Sequence, residues 1–147
     1  MSNKRAAAAS GLTASQQDYL EAILQALTGR PSARVRDVAR RLHVSAPSVT
    51  GALRVLSARG LVRYQPREYI TLTPAGRLAA RAVSRRHEVL RDFFVRTLGA
   101  DPREADACAC RIEHVISDEV FGRLCRFLKV HRGASSGGDR RARKRVK

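Results

Sequence analysis

The sequence predicts a mainly α-helical protein with a small β-hairpin wing: a winged helix-turn-helix domain followed by an all-helical domain. Hydrophobic residues make up 44% of the 147 residues, aromatics only 5%, and Trp is absent, which favours helices packed through Leu, Val, Ile and Ala. Three segments with apolar residues at helical spacing precede one stretch rich in β-branched and aromatic residues, and more helical segments follow it. The net charge of +16 favours a polyanionic partner such as nucleic acid, although a generally Arg-rich coding sequence is the alternative explanation.

The first helix is predicted to begin after a disordered lead over residues 1–12. Thr13 and Gln16 have the spacing of a capping box, in which each side chain satisfies a backbone N–H of the other residue. The apolar residues that follow recur at helical spacing up to Leu27. Gly29 and Pro31 then end this helix.

A short second helix is predicted over residues 35–42 and a third over residues 46–59. Ser45 caps the third helix, Pro47 lies in its first turn where a missing N–H is harmless, and Gly60 ends it. Residues 61–73 form two short β-rich runs on either side of the segment Gln65-Pro66-Arg67, which predicts a hairpin.

Three further helices are predicted after the hairpin. Thr73 and Pro74 begin a long helix that runs to about residue 98. Asp101 and Pro102 begin the next, and a final helix covers residues 118–130. The Gly/Ser spacer and the dense Lys/Arg block of residues 131–147 cannot bury a core, which predicts a disordered basic tail.

The second and third helices, with the hairpin, form a predicted winged helix-turn-helix whose third helix enters the major groove by its N-terminal end. Small hydroxyl residues at that end allow close approach to DNA, and nearby arginines are placed to contact the phosphate backbone. The alternative is that the hydroxyls are only caps and the arginines a solvated face. The predicted DNA-binding residues are Arg36, Ser45, Pro47, Ser48, Thr50, Arg54, Arg63 and Arg67, with Arg34, Arg40 and Arg41 as further backbone contacts.

Three potential metal ligands lie close together near residue 110. Cys110, Glu113 and His114 are spaced i, i+3 and i+4, so a continuous helix would present all three on one face. A thiolate, a carboxylate and an imidazole are each good ligands for divalent first-row metals. The alternative is a small buried Cys, a solvated Glu and a core or capping His.

Three residues elsewhere are candidate ligands for the same ion. His87 lies on the apolar stripe of the long helix, and Asp18 and Glu21 form an i, i+3 pair on the first helix. Considered alone, His87 would ordinarily be a core histidine, and Asp18 and Glu21 would ordinarily be a solvated edge of the helix. Together with residues 110–114, they predict one mixed O/N/S site.

Several segments resemble the diphtheria toxin repressor and manganese transport regulator family of metal-dependent repressors. The resemblance covers roughly residues 14–128 and is most specific in its last segment. The segments include Gln17-Asp-Tyr-Leu-Glu21, Val35-Arg-Asp-Val-Ala39, Ser45-Ala-Pro-Ser-Val49, Leu72-Thr-Pro-Ala-Gly76 and Cys110-Arg-Ile-Glu-His-Val-Ile-Ser-Asp-Glu-Val120.

The resemblance implies a homodimeric transcriptional repressor that binds double-stranded DNA, expected to be a palindromic operator, when a divalent metal is bound. It implies a DNA-binding domain over residues 13–73 and a metal-binding and dimerisation domain over residues 74–130. The chain ends before the SH3-like third domain that some relatives carry, so it resembles the short form. The protein is expected to be cytoplasmic and to control metal homeostasis genes. No membrane partner, small-molecule substrate or enzymatic activity is expected.

The family pattern gives mixed information about the metal. Asp18 and Glu21 resemble the manganese branch, whereas Cys110 resembles the iron branch; His87, Glu113 and His114 fit both. Arg91 departs from the iron branch, which has Glu there for an ancillary site. Since carboxylates favour Mn²⁺ and a thiolate favours Fe²⁺ or later metals, Mn²⁺ is slightly preferred over Fe²⁺.

Two other function classes remain open from the sequence. A metal-independent winged-helix regulator would sense an organic ligand or an oxidant through Cys108 or Cys110. A metal-assisted hydrolase would need a nucleophile arrangement that the sequence does not show. Cys108 and Cys125 are expected to be small core residues.

Overall fold

The computed structural model describes residues 11–64 and 69–131. Within these residues the chain forms six α-helices and one two-stranded antiparallel sheet, in agreement with the predicted fold class. The elements in chain order are α1 (Ala14–Ala26), α2 (Val35–Leu42), α3 (Ala46–Ala58), β1 (Val62–Arg63), β2 (Thr71–Leu72), α4 (Pro74–Arg96), α5 (Pro102–Ile112) and α6 (Asp118–His131).

The predicted helix starts are confirmed by their hydrogen bonds. The Thr13 backbone N–H donates to Gln16 Oε1 (3.1 Å), and the Gln16 N–H donates to Thr13 Oγ1 (3.2 Å), which completes the capping box. At the start of α3, the Ser48 N–H donates to Ser45 Oγ (3.3 Å), and Pro47 lies in the first turn. Both helices therefore begin where local side-chain chemistry satisfies their unpaired N–H groups.

The predicted hairpin is confirmed in the described residues. Val62 pairs with Leu72 and Arg63 with Thr71, while the predicted tip, Gln65-Pro66-Arg67, lies outside the described residues. An additional bridge joins Ala33, just before α2, to Ile70 through two backbone hydrogen bonds of 2.8 and 3.0 Å. The base of the wing is therefore fastened directly to the helix-turn-helix.

The chain divides into two compact units, residues 1–88 and 89–147. This division falls inside α4, whereas the predicted domain boundary lies just before that helix. The core of the first unit is built from α1, α2, α3, the wing and the first part of α4, whose apolar faces are buried together. Its fully buried large side chains include Leu20, Ile23, Val38, Val49, Leu53, Leu56 and Ile70.

In the second unit, the apolar faces of the helices are less completely buried. Ala105 and Ala109 of α5 are buried, but α6 contains no buried residue, and Val120 and Phe127 are exposed. α6 runs through His131, the first residue of the predicted tail, and residues 132–147 lie outside the described residues. Among the residues described, no helix is both long and apolar enough to cross a membrane.

Candidate DNA-binding surface and metal site

The N-terminal end of α3 is an exposed, small and polar surface. Ser45, Pro47 and Ser48 are exposed, and the two serine hydroxyls are hydrogen-bonded to each other at 2.8 Å. Thr50 is half-buried, and its hydroxyl donates to the Ala46 carbonyl (3.1 Å). Partially positive N–H groups at this helix end favour phosphate, so the surface suits a close approach to DNA.

Exposed arginines accompany this helix end. Arg54 and Arg63 are exposed, and Arg36 has a side-chain exposure of 69% while its Nε lies 3.9 Å from Asp37 Oδ1. Arg67 lies outside the described residues.

Up to residue 131, the net positive charge of the chain lies in residues 1–88. Residues 1–88 contain 15 Lys/Arg and 5 Asp/Glu, a net charge of +10, whereas residues 89–131 contain seven of each and are neutral. Residues 132–147 contain seven Lys/Arg and one Asp, which supplies the remaining +6. The helices of residues 89–131 are thus neutral, whereas residues 1–88 are strongly basic, which favours a polyanion-binding role for the first unit.

The candidate ligands of the first unit lie at the edges of buried helix faces. Asp18 and Glu21 on α1 are both half-buried, beside the buried Leu20. His87 on α4 is half-buried, and its stripe neighbour Val83 is buried.

The second unit contains a buried carboxylate next to an imidazole. α5 ends at Ile112, and Glu113 caps it, its N–H donating to the Ala109 carbonyl (2.9 Å). The Glu113 side chain is 1% exposed, and Glu113 Oε1 lies 3.3 Å from Nε2 of His114, whose side chain is 9% exposed. Water is thus almost excluded from both groups.

The backbone around Cys110, Glu113 and His114 stays close to helical, because Glu113 is the C-cap residue of α5 and has helical backbone angles (φ −56°, ψ −30°). His114 follows the end of α5 instead of lying on it. Cys110 lies in the last turn and is exposed, whereas Glu113 is buried. Glu113 and His114 therefore form a buried pair.

The buried pair fits a divalent metal. Atoms that bind the same first-row ion at roughly 2.1 Å each lie no more than about twice that distance apart, and the 3.3 Å between Oε1 and Nε2 meets this limit. A buried carboxylate is otherwise costly, because buried charges need a counter-charge or a metal. The oxygen and nitrogen donors are ones that Mn²⁺, Fe²⁺ and Zn²⁺ all accept.

Two arginine contacts were not predicted from the sequence. The Arg34 guanidinium donates to the Tyr69 hydroxyl (3.0 Å), and Arg59 Nη1 donates to the Gly11 carbonyl (2.9 Å) and to Gln16 Oε1 (3.1 Å). The partners are 35 to 48 residues apart in the sequence, so no local sequence pattern indicates these contacts.

The other cysteines are half-buried. The Arg111 guanidinium lies 3.5 Å from Cys108 Sγ. The expectation that Cys108 and Cys125 are core residues is therefore only partly met.

Two family models together match most of the chain. Residues 11–69 match the N-terminal DNA-binding domain of the iron-dependent repressors, and residues 73–138 match their metal-binding and dimerisation domain. These matches support the DNA-binding and dimerisation roles of the two parts. They favour the metal-dependent class over a metal-independent regulator.

Individual relatives agree with the family models. A helix-turn-helix transcriptional regulator of Methanocaldococcus jannaschii is 33% identical over 120 residues, covering 80% of this chain and 95% of the relative. The transcriptional regulator MntR of Salmonella typhimurium is 32% identical over 114 residues, covering 78% of this chain and 72% of the relative.

A solved structure, a manganese-dependent transcriptional repressor in complex with manganese, is similar in fold. It has a TM-score of 0.71 and 35% identity, and the match covers 78% of this chain. This chain spans about half of that protein, 52% of its length. On the fold, the family models and these relatives, the chain belongs to the iron-dependent repressor family of metal-dependent, DNA-binding transcriptional repressors.

Proposed function

We propose that this protein is a homodimeric repressor of metal homeostasis genes that binds a palindromic operator when Mn²⁺ is bound, with Fe²⁺ as the second candidate metal. The observation that carries the proposal is the buried Glu113–His114 pair, which supplies an oxygen and a nitrogen donor 3.3 Å apart where water is almost excluded. The resemblance to a solved manganese-dependent repressor supports the choice of metal.

The proposed ligands come from α1, α4 and the end of α5. Three of the six are carboxylates, which favour Mn²⁺, whereas the single thiolate, that of Cys110, shifts preference toward Fe²⁺. Cys110 is exposed, whereas the other five proposed ligands are buried or half-buried. The six residues are Asp18, Glu21, His87, Cys110, Glu113 and His114.

Metal activation in this proposal is a coupling between two binding equilibria. A bound metal favours DNA binding only if it binds the DNA-competent arrangement more tightly than the alternatives. In the proposal, this difference in metal affinity arises because ligands come from α1 as well as from residues 110–114. A metal that holds α1 also acts on the recognition helix α3, because the two helices share one core. A typical coupling is about 1–3 kcal/mol, or roughly 5- to 150-fold in operator affinity.

The test uses calorimetric metal titration together with fluorescence anisotropy on a palindromic duplex selected from a random library by the wild-type protein. Mn²⁺, Fe²⁺, Co²⁺ and Zn²⁺ are compared under anaerobic conditions. His114→Ala is expected to abolish metal-dependent DNA binding, whereas His131→Ala, which removes an exposed imidazole of the same unit, is expected to preserve it. Full metal dependence of His114→Ala would refute the proposed site, and metal-independent operator binding by the wild type would refute the proposed function.

The individual ligands have separate expected effects. Asp18→Ala is expected to retain metal binding but to lose the effect of metal on DNA affinity, because its carboxylate lies on α1 of the DNA-binding unit. Calorimetry and anisotropy on the same preparation separate these two properties. Normal activation of this variant would remove Asp18 from the proposed site.

A further inference from the structure

We infer that Tyr69 is a positioning residue for DNA binding, which holds the Arg34 guanidinium at the base of the wing for contact with a backbone phosphate. This inference rests on the proposed DNA-binding function. Arg34 Nη2 donates to Tyr69 Oη at 3.0 Å, and the guanidinium carbon lies 5.2 Å from the centre of the tyrosine ring. The phenol thus provides both a hydrogen-bond acceptor and an aromatic face for one cation.

The backbone beneath this pair is fixed. Arg34 follows Ala33 and Tyr69 precedes Ile70, and these two neighbours are joined by the backbone bridge of 2.8 and 3.0 Å. Ala33 and Ile70 are buried (1% and 0% exposed), whereas Tyr69 is 55% exposed. The bridge anchors the pair from the core side and leaves it accessible from solvent.

The position of Arg34 suits a phosphate contact. It is the N-cap residue of α2, the first helix of the helix-turn-helix, and in this motif the first helix crosses the DNA backbone. Its backbone N–H donates to Asp37 Oδ2 (3.2 Å), which fixes the start of the helix. A guanidinium here has several N–H groups in a planar fork, and only one of them is needed for the tyrosine.

The chemistry of its partner distinguishes Arg34 from Arg36. Arg36 lies 3.9 Å from the carboxylate of Asp37, so part of its positive potential is offset. Arg34 is held by a neutral phenol, which restricts the side chain without cancelling its charge. A restricted cation loses less conformational entropy on binding than a free one, so Arg34 is expected to contribute more to DNA affinity than Arg36.

A double-mutant cycle tests this inference with anisotropy of the full-length protein on the selected palindromic duplex, at several salt concentrations. Tyr69→Phe keeps the ring but removes the acceptor, and it is expected to weaken binding roughly three- to tenfold, the range for one lost hydrogen bond. Arg34→Met is expected to weaken binding further and to reduce the salt slope by about one. In the Arg34→Met background, Tyr69→Phe is expected to have no further effect.

Matched variants and stability measurements provide the controls. Tyr64→Phe alters the other tyrosine at the wing, which is half-buried against the core, and Arg77→Met removes an exposed arginine of α4; both are expected to bind DNA like the wild type. Thermal unfolding identifies any variant that has lost its fold. If the weakening by Tyr69→Phe persists in the Arg34→Met background, Tyr69 acts independently of Arg34 and the inference is wrong.

The controls also separate failure of this inference from failure of the proposed function. A wild type that binds no duplex would refute the DNA-binding function. A wild type that binds, with Tyr69→Phe and Arg34→Met unchanged in affinity and salt slope, would refute only the positioning role.

Discussion

Gly76→Ala is expected to destabilise the first unit, because Gly76 is where α4 passes the backbone at the base of the wing. A Cβ placed on Gly76 would overlap the Leu61 carbonyl oxygen and lie 2.7 Å from the Leu61 carbonyl carbon. Both atoms belong to the backbone and cannot rotate away. The Thr73 hydroxyl holds the same region by donating to the Gly60 carbonyl (2.7 Å) and accepting from the Gly76 N–H (3.1 Å).

Two opposing contributions determine how much Gly76→Ala changes the free energy of unfolding. Inserting a methyl group into a packed site costs about 1–3 kcal/mol and sometimes more, and contact with rigid backbone at this distance places Gly76 at the upper end. Replacing Gly by Ala inside a helix returns up to about 1 kcal/mol. The net loss in the free energy of unfolding is therefore about 2 kcal/mol, or roughly 6 °C in Tm for a chain of this size.

Gly51→Ala is the matched control, since it makes the same chemical change where there is room. Gly51 lies in α3, and nothing is within 4 Å of a Cβ placed there. This variant is expected to be more stable by about 0.5–1 kcal/mol through helix propensity alone. Thermal unfolding followed by circular dichroism compares the two, and a Gly76→Ala protein as stable as the wild type would refute the reasoning.

Three further predictions concern function. Ser48→Glu places a carboxylate on the exposed N-terminal end of α3 and is expected to weaken operator binding more than about tenfold, since like charges across an interface cost several kcal/mol. Ala58→Glu, at the other end of the helix, is the control. If Ser48→Glu binds the operator as tightly as the control in the anisotropy assay, α3 does not read the operator. Deleting residues 132–147 removes a net charge of +6 and is expected to reduce the salt slope of DNA binding while preserving the metal response; loss of that response would make the tail part of the switch. Cys110→Glu is expected to shift activation toward Mn²⁺ relative to Fe²⁺ and Co²⁺, because an oxygen donor replaces sulfur, and an unchanged order of metals would indicate that the thiol is not a ligand.

Local features of the sequence determined much of the fold, including the start of the helix that carries the candidate DNA-binding surface. Capping and turn chemistry acts over three or four residues, so the starts of α1 and α3 at Thr13 and Ser45 were predictable, as was the hairpin after Gly60. Helix ends were less predictable: α3 ends at Ala58 and α4 at Arg96, one and two residues before the predicted ends. The last turn of a helix depends on weak, competing interactions.

Only the tertiary structure decided which side chains are buried and which distant residues meet. The spacing of Cys110, Glu113 and His114 predicted that they share a helical face, but it did not predict that Glu113 is buried while Cys110 is exposed. The contact of Arg34 with Tyr69 spans 35 residues and depends on the bridge between Ala33 and Ile70. Periodicity reports the face of one element at a time, whereas burial and long-range pairing arise when several elements pack together.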